Sequence, residues 1–217
     1  MSSDRIDEYL EAIYKLEQRE HPVRVGIIST SLKISAPSVH EMLQRLKEKG
    51  LINFDKGAVC LTRKGRNHAK KIVRKHRLSE RFLTDVLGLS WEDAHDEACK
   101  LEHAISDKVE DNLAQMLGEP QTCPHGHPIP DKKGHIKSEK TRKLDSLKNG
   151  EAAVIKCVNE EDPKMLQYLF SLGLLPEVKI KIMEVAPFGG PFIVRVGKSR
   201  YALGRSIASK IEVVATK

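Results

Sequence analysis

The spacing of apolar residues changes near Gly150, and this change limits the possible folds more than any other feature of the sequence. Before it, apolar residues recur at helical intervals, as Ile6, Leu10 and Ile13 do. After it, one helical stretch at 163–172 interrupts short β-like runs at 153–158, 178–185, 192–196 and 211–214. The sequence therefore predicts a mostly α-helical protein that ends in a small β domain, in the form of a barrel.

The distribution of charge points to a polyanionic partner. The chain has 217 residues and a net charge of +7. No acidic residue lies between Lys56 and Ser79, whereas acidic residues dominate between Trp91 and Asp111. A basic front half favours nucleic acid as the partner, and the alternative is that both stretches are solvated helix faces.

Several classes of protein do not fit the sequence. No apolar run approaches the roughly 20 residues of a membrane-spanning helix, and the first residues show no secretory signal, so we expect a cytoplasmic protein without a membrane partner. The four cysteines form no C-x-x-C pair, which favours reduced thiols over disulfides or a four-cysteine zinc site. Motifs of hydrolases and phosphate-binding loops are absent, so we expect neither an enzyme nor a small-molecule substrate.

Residues 25–62 have the pattern of a winged helix-turn-helix. A short helix at 25–32 is followed by a turn, a third helix that begins near Pro37 and closes at Gly50, and a hairpin. The third helix would enter the major groove by its N-terminal end, and the tip of the hairpin would contact the DNA backbone. The predicted DNA contacts are Ser35, Pro37, Ser38, His40, Glu41, Gln44, Arg45 and Lys56. The alternative is a three-helix core without a DNA partner.

Metal-type side chains follow on two predicted helices, at about 63–87 and 91–117. At about 100° per residue, His95, Cys99, Glu102 and His103 share an arc of roughly 100° on the second helix. His76 and Glu80 form a second pair four residues apart, and the first helix carries Glu8 and Glu11. Such a set suits a divalent transition metal. The alternative is that these are solvated helix residues, with Cys99 in the core.

Four segments resemble the diphtheria-toxin-repressor family of metal-dependent transcriptional regulators. They are RKHRLSER at 74–81, HDEAC at 95–99, EHAISD at 102–107 and CPHGHPIP at 123–130. The C-terminal part, through LFSLGLLP at 169–176, resembles the SH3-like domain of this family and a ferrous-transport accessory module. The resemblance implies a homodimer with two metal sites in each subunit. It assigns Glu8, Cys99, Glu102 and His103 to a primary site, and His76, Glu80 and His95 to an ancillary site.

The same resemblance bears on the identity of the metal. Iron-responsive members have methionine at the position of Glu8 and cysteine at the position of Cys99, whereas manganese-responsive members have aspartate and glutamate. This chain is mixed, and the softer thiol favours Fe(II), with Mn(II) as the alternative. Asp162 and Met165 are further ligand candidates in the third domain. The family treats 123–130 as a structural turn. Glu41 stands where iron members have glutamine, and Gly26 where they have arginine.

These observations predict four segments. They are a DNA-binding domain at 1–73, a helical metal-binding and dimerisation domain at 74–130, a linker at 131–149 and an SH3-like domain at 150–217. The expected function is a metal-dependent repressor of metal-homeostasis genes, in which metal at the primary site activates binding to a double-stranded palindromic operator. A metal-independent winged-helix protein is the alternative.

Overall fold

The structure is a computed structural model that describes residues 3–18, 21–137, 139–159 and 162–216. The chain divides into two compact units. One comprises 1–75 and 130–135, and the other comprises 76–129 and 136–217. No helix in these described ranges is long and apolar enough to cross a membrane.

The first unit is a winged helix-turn-helix, as predicted. Its elements are α1 (Ser3–Glu17), β1 (Val23–Arg24), α2 (Val25–Leu32), α3 (Ala36–Glu48), β2 (Ile52–Asp55), β3 (Ala58–Leu61) and the beginning of α4 (Arg63–Asp85). The strands form an antiparallel sheet in the order β1-β3-β2. Ser35 caps α3, because its hydroxyl accepts the backbone N–H of Ser38. One face of α3 is buried and the other is exposed.

The junction between the hairpin and α4 depends on a glycine. The Thr62 hydroxyl accepts the backbone N–H of Gly65 at 3.1 Å, which satisfies a free donor in the first turn of α4. A Cβ at Gly65 would lie 1.9 Å from the carbonyl oxygen of Leu51. Only glycine allows the helix to start this close to the residue that leads into β2.

The helical part of the second unit corrects one prediction. The helix predicted over 91–117 is two helices, α5 (Ala94–Leu101) and α6 (Asp107–Met116). Ser106 separates them, because its hydroxyl accepts the backbone N–H of Val109 and caps a new helix. His95 and Cys99 lie on α5, and Glu102 directly after it still has helical φ and ψ angles. These three residues therefore keep the predicted helical arrangement.

The β part of the second unit is a six-stranded antiparallel sheet in the order β4-β9-β5-β6-β7-β8. Its strands are β4 (Arg142–Lys143), β5 (Ala152–Val158), β6 (Lys179–Val185), β7 (Phe192–Val196), β8 (Ser199–Leu203) and β9 (Ile211–Ala215). Two helices, α7 (Pro163–Ser171) and α8 (Arg205–Ala208), accompany the sheet. Its core contains Ile182, Phe192 and Val194 together with Trp91, which precedes α5. The sequence pattern missed β8 and α8.

The predicted linker at 131–149 is ordered in its second half. Arg142 and Lys143 form β4, and a 3-10 turn follows over Leu144–Ser146. The side chains of Leu144 and Leu147 are buried in the core of the β domain. These two leucines are the physical reason that the segment folds onto the domain despite its polar composition.

Residues 123–130 form a tight turn that is anchored on β5. The backbone N–H of Val158 donates to the carbonyl of His125 at 3.0 Å, and the His127 ring bonds the Val158 carbonyl at 3.0 Å. Gly126 has φ 87°, and a Cβ there would lie 1.9 Å from the carbonyl oxygen of Lys156. The turn therefore requires glycine at this position, which fixes the placement of the neighbouring His125.

Candidate metal centre

His76 on α4 is the centre of a buried hydrogen-bond network. Its Nδ1 lies 2.6 Å from Oε2 of Glu102, and its Nε2 lies 3.1 Å from Oε1 of Glu80 and 3.1 Å from Nδ1 of His95. His76 is 2% exposed, Glu80 3% and Glu102 4%. Charged groups this deeply buried need close partners, and the partners described here are metal-type side chains.

Cys99 on α5 extends this network. Its Sγ lies 3.8 Å from Nε2 of His95 and 4.0 Å from Nδ1 of His76. Burial alone would raise the pKa of the thiol, but the hydrogen bonds and positive charge of the two histidines outweigh burial and lower it. One ligand atom from each of His76, His95 and Cys99 lies within 4.8 Å of the others. These three residues are called the first cluster.

A second cluster consists of Glu80, Cys123 and His125. All three are buried, and one ligand atom from each lies within 4.8 Å of the others. Nε2 of His125 lies 3.1 Å from the carbonyl oxygen of Trp91, which fixes the ring and directs Nδ1 towards Glu80 at 3.3 Å. Burial would lower the pKa of His125, but hydrogen bonds to Cys123 and Glu80 outweigh it and raise the pKa to about 10.

Glu80 connects the two clusters. Its Oε1 lies within 3.4 Å of a ring nitrogen of each of His76, His95 and His125. Burial alone would raise the pKa of this carboxyl, but the charge of His76 and the three hydrogen bonds hold it well below its usual range. A buried carboxylate among imidazoles and thiols fits a divalent transition metal, because a cation there would take the place of protons on the histidines.

The exposed face of α3 carries the residues predicted to contact DNA. Ser35, Pro37, Ser38, His40, Glu41, Gln44 and Arg45 are all exposed, and so is Lys56 at the hairpin tip. The hydroxyls of Ser35 and Ser38 lie 2.9 Å apart, and Gln44 bonds His40 at 3.3 Å. Arg45 forms an ion pair with Glu41 on the same face. This surface therefore offers hydroxyl, amide, imidazole and guanidinium groups to a groove.

Three family models cover most of the chain. The model for an iron-dependent repressor N-terminal DNA-binding domain matches residues 1–58, and that for the metal-binding and dimerisation domain matches 62–131. A FeoA domain model matches 142–215. The iron-dependent repressor IdeR of Mycobacterium leprae is 32% identical over 97% of this chain and 96% of its own length. The chain belongs to the iron-dependent repressor family.

Other members of the family are similar in sequence and in structure. The diphtheria toxin repressor of Corynebacterium jeikeium is 34% identical over 99% of this chain and 86% of its own length. The structure of a manganese-dependent transcriptional repressor in complex with manganese has a TM-score of 0.92 and 33% identity, and covers 97% of this chain and 100% of that one. The crystal structure of IdeR from T. acidophilum has a TM-score of 0.83 and 27% identity, and covers 100% of this chain and 99% of that one. The similar proteins thus include both iron-named and manganese-named repressors.

Six of the family-implied ligands lie together in the second unit. The implied ancillary set of His76, Glu80 and His95 is in mutual contact, within 3.4 Å. Cys99, assigned to the primary site, lies beside His76 and His95, which were assigned to the ancillary site. His103 lies 3.3 Å from Glu102 through its Nε2. Glu8 is exposed on α1, and Glu11 one turn later is buried with an ion pair to Lys15.

The two third-domain candidates have local roles. Asp162 caps α7, because its carboxylate accepts the backbone N–H groups of Lys164 and Met165. Met165 packs against the core of the β domain. Each residue therefore also has a structural role in the β domain.

Sequence reasoning placed no metal at Cys123 and His125, which form the second cluster with Glu80. It interpreted their segment as a structural turn, and the turn does have that role. The sequence signal for a metal site here was a cysteine and a histidine two residues apart in a glycine-containing turn. Such a turn can direct both side chains to the same side. Nothing in the sequence pairs this turn with Glu80, 43 positions before Cys123.

Proposed function

We propose that this member of the family is a repressor of metal-homeostasis genes that binds DNA when Fe(II) occupies its buried metal centre. The choice of Fe(II) rests on the Cys99 thiol, which lies within 4.0 Å of the imidazoles of His76 and His95. Thiolate with imidazole suits iron better than manganese, which prefers oxygen ligands. The lowered pKa of Cys99 supports a thiolate at this position.

Mn(II) is the second candidate, and specific observations favour it. The carboxylates of Glu80 and Glu102 are buried beside His76, and oxygen ligands suit manganese. The structure of a manganese-dependent repressor is similar to 97% of this chain. Comparing the two ions at matched free concentrations separates the candidates.

The proposed ligands are those that the family implies, with one addition. Glu8, Cys99, Glu102 and His103 would form the primary site, and His76, Glu80 and His95 the ancillary site. The second cluster adds Cys123 and His125 beside Glu80. Asp162 and Met165 are further ligand candidates from the third domain, where Asp162 also caps α7 and Met165 packs against the core.

The protein's own groups explain why DNA binding would depend on the ion. A bound divalent ion would supply positive charge beside the buried carboxylates of Glu80 and Glu102. Before it binds, His125 holds a proton and the histidines carry the hydrogen bonds that satisfy Glu80 and Glu102. Exchange of these protons for an ion changes how helix α4, helix α5 and the 123–130 turn are held together. Linkage then requires that metal and DNA strengthen each other's binding by the same factor.

We propose a homodimer on a palindromic, double-stranded operator, in the cytoplasm. The family's dimerisation domain matches residues 62–131. Two copies of α3 related by a twofold axis would read two half-sites about one helical turn apart. Sedimentation of the protein with and without the operator duplex measures the number of chains bound.

The test is anaerobic fluorescence anisotropy with duplex DNA from upstream of the protein's own gene. Fe(II), Mn(II) and a chelator are compared for the intact protein, for Glu102→Gln and for Glu97→Gln. Glu97 is a matched control, because it lies on α5 shortly before Glu102, its side chain is 47% exposed and it pairs with Lys100. We expect tight binding only with metal, better with Fe(II), and loss of the metal response in Glu102→Gln alone. Equal binding in chelator would support a metal-independent winged-helix protein instead.

A further inference from the structure

Three cations form a row across one face of the C-terminal sheet. Lys181 on β6 is paired in register with Arg195 on β7, and Arg195 is paired with Arg200 on β8. Neighbouring residues such as Ile182, Val194 and Leu203 are buried in the core, and side chains alternate along a strand. The three cations therefore lie on the outer face, with adjacent strands about 4.8 Å apart.

Two lysines enlarge this row into a cationic face. Lys179 lies two residues before Lys181 on the same side of β6, next to the β7–β8 turn that carries Lys198. Arg195, Lys198 and Arg200 are exposed, and so is Lys179. The name cationic face is used for Lys179, Lys181, Arg195, Lys198 and Arg200.

The cationic face has no internal counter-charge. Residues 179–210 contain one carboxylate, Glu184, which lies in the next row opposite Ile193. Within the described residues, none of the five cations has an ion pair. Other cations of the same domain do have one, since Lys156 pairs with Glu139 and Glu177, and Arg142 with Glu151.

This arrangement opposes folding and therefore indicates an external partner. Like charges directly opposite each other on adjacent strands destabilise a sheet. Pairs of opposite charge on these strands would be the stabilising choice, and the domain uses such pairs elsewhere. A row of lysine and arginine side chains suits a polymer with closely spaced negative charges, because Arg and Lys are the common donors to phosphate oxygens.

We propose that the cationic face binds the phosphate backbone of duplex DNA. This inference rests on one part of the proposed function, the binding of DNA, because DNA is the polyanion that the face would contact. It does not depend on the proposed metal mechanism. Backbone contacts carry no base information. The face would therefore add affinity and salt dependence, whereas α3 and its neighbours would supply the sequence preference.

The experiment compares two triple variants of the full-length protein with wild type. One is Lys181→Gln/Arg195→Gln/Arg200→Gln, and the control is Lys143→Gln/Lys148→Gln/Lys164→Gln, which removes the same charge from exposed positions of the same unit. Anisotropy is measured at saturating metal between 50 and 300 mM salt. The probes are an operator duplex and the same duplex extended by ten base pairs on each side.

We expect the first triple variant to lower the slope of log K against log salt by about 2 to 3 on the extended duplex, because each lost phosphate contact removes about 0.9. Affinity at 0.1 M salt should fall at least tenfold, by about the same factor for operator and non-operator sequences. The control should keep the wild-type slope. The metal response of both variants should remain, which separates this inference from the proposed metal mechanism.

Three results would overturn the inference. One is a slope in the first triple variant equal to that of the control. Another is unchanged DNA binding with lost self-association in sedimentation, which would assign the face to an acidic surface of a second copy. The third is a wild-type protein that binds no duplex, which would also overturn the proposed function. Arg200→Glu on edge strand β8 should also lower the slope of log K against log salt. Thermal unfolding should show that this variant and the Lys181/Arg195/Arg200 triple variant are folded.

Discussion

The second unit holds two concentrations of charge that follow opposite rules. In the metal centre, carboxylates, thiols and imidazoles are buried or half-buried and are bonded to one another. On the cationic face, like charges lie side by side and are mostly exposed to water. A buried charge needs a counter-charge inside the protein, because its desolvation costs free energy. An exposed charge is screened by water and salt, so it needs no partner within the protein. The first arrangement therefore suits a small cation, and the second suits a polyanion.

The substitution with the largest expected effect removes the charge that both clusters share. Glu80→Gln leaves His76, His95 and His125 without their common carboxylate. Loss of one partner of a buried charged network costs about 3 to 5 kcal/mol. We expect a comparable loss in the urea unfolding free energy and loss of the metal response of DNA binding.

Asp85→Asn is the control for Glu80→Gln, because Asp85 is exposed on the same helix and pairs with Arg81. A surface pair contributes less than about 1 kcal/mol. If the two variants unfolded alike, the distinction between buried and exposed charge would be wrong for this helix.

The next effect concerns the turn that supports the second cluster. Gly126→Ala places a Cβ 1.9 Å from the Lys156 carbonyl in addition to its positive φ, whereas Gly118→Ala has a positive φ of 72° and no atom within 4 Å. Left-handed backbone alone costs about 1 to 2 kcal/mol, and overpacking adds about 1 to 3 kcal/mol. We expect Gly126→Ala to lower the free energy of unfolding by the larger amount and to weaken metal binding.

Urea unfolding of the two alanine variants, followed by metal titration, tests this. Equal losses of stability would show that the turn yields around the new methyl group. Weakened metal binding in Gly118→Ala as well would show that the second cluster does not depend on the anchored turn.

The pH dependence of the metal-free protein provides a third test. The pKa of His125 is raised to about 10 from its usual 6.5. Its contribution to stability is therefore fully present below about pH 6.5 and is lost as the pH rises through 10. We expect the metal-free protein to become less stable over this window. Metal affinity should rise with pH, because a ligand nitrogen must lose its proton.

Thermal unfolding of metal-free wild type and His125→Gln between pH 6 and 10 measures this contribution. The variant should have a flatter profile over the same window. A wild-type profile as flat as that of the variant would show that His125 is not held in its protonated form.

Local patterns account for most of the fold that the sequence predicted. The cap at Ser35, the apolar face of α3 and the hairpin depend on residues a few positions apart, and the structure confirms them. The break between α5 and α6 was missed because helical periodicity outweighed the capping signal of Ser106. The order of Leu144 and Leu147 was missed because it depends on a distant sheet.

The metal centre was predictable where its ligands share a helix. The spacing of His76 and Glu80, and of His95 and Cys99, places each pair on one helix face. The position of Cys123 and His125 beside Glu80 depends instead on the hydrogen bonds of the 123–130 turn with β5. Strand register likewise determines the cationic face, and sequence spacing alone does not give it.

The smallest expected effect concerns a cation that already has a partner. Arg45 on α3 is exposed like the cationic face, but Glu41 pairs with it. Glu41→Gln removes the Glu41 ion pair of Arg45 and a negative charge from the surface that would approach DNA. The stability cost is below about 1 kcal/mol, because the pair is exposed. We expect operator affinity to rise several-fold and the salt slope to increase by about 0.9 if Arg45 gains a phosphate. Anisotropy over a salt series, with Glu48→Gln near the end of the same helix as control, measures both quantities. An unchanged affinity and slope would show that Arg45 does not contact DNA. The cations that raise DNA affinity would then be Lys56 of the hairpin and those of the cationic face.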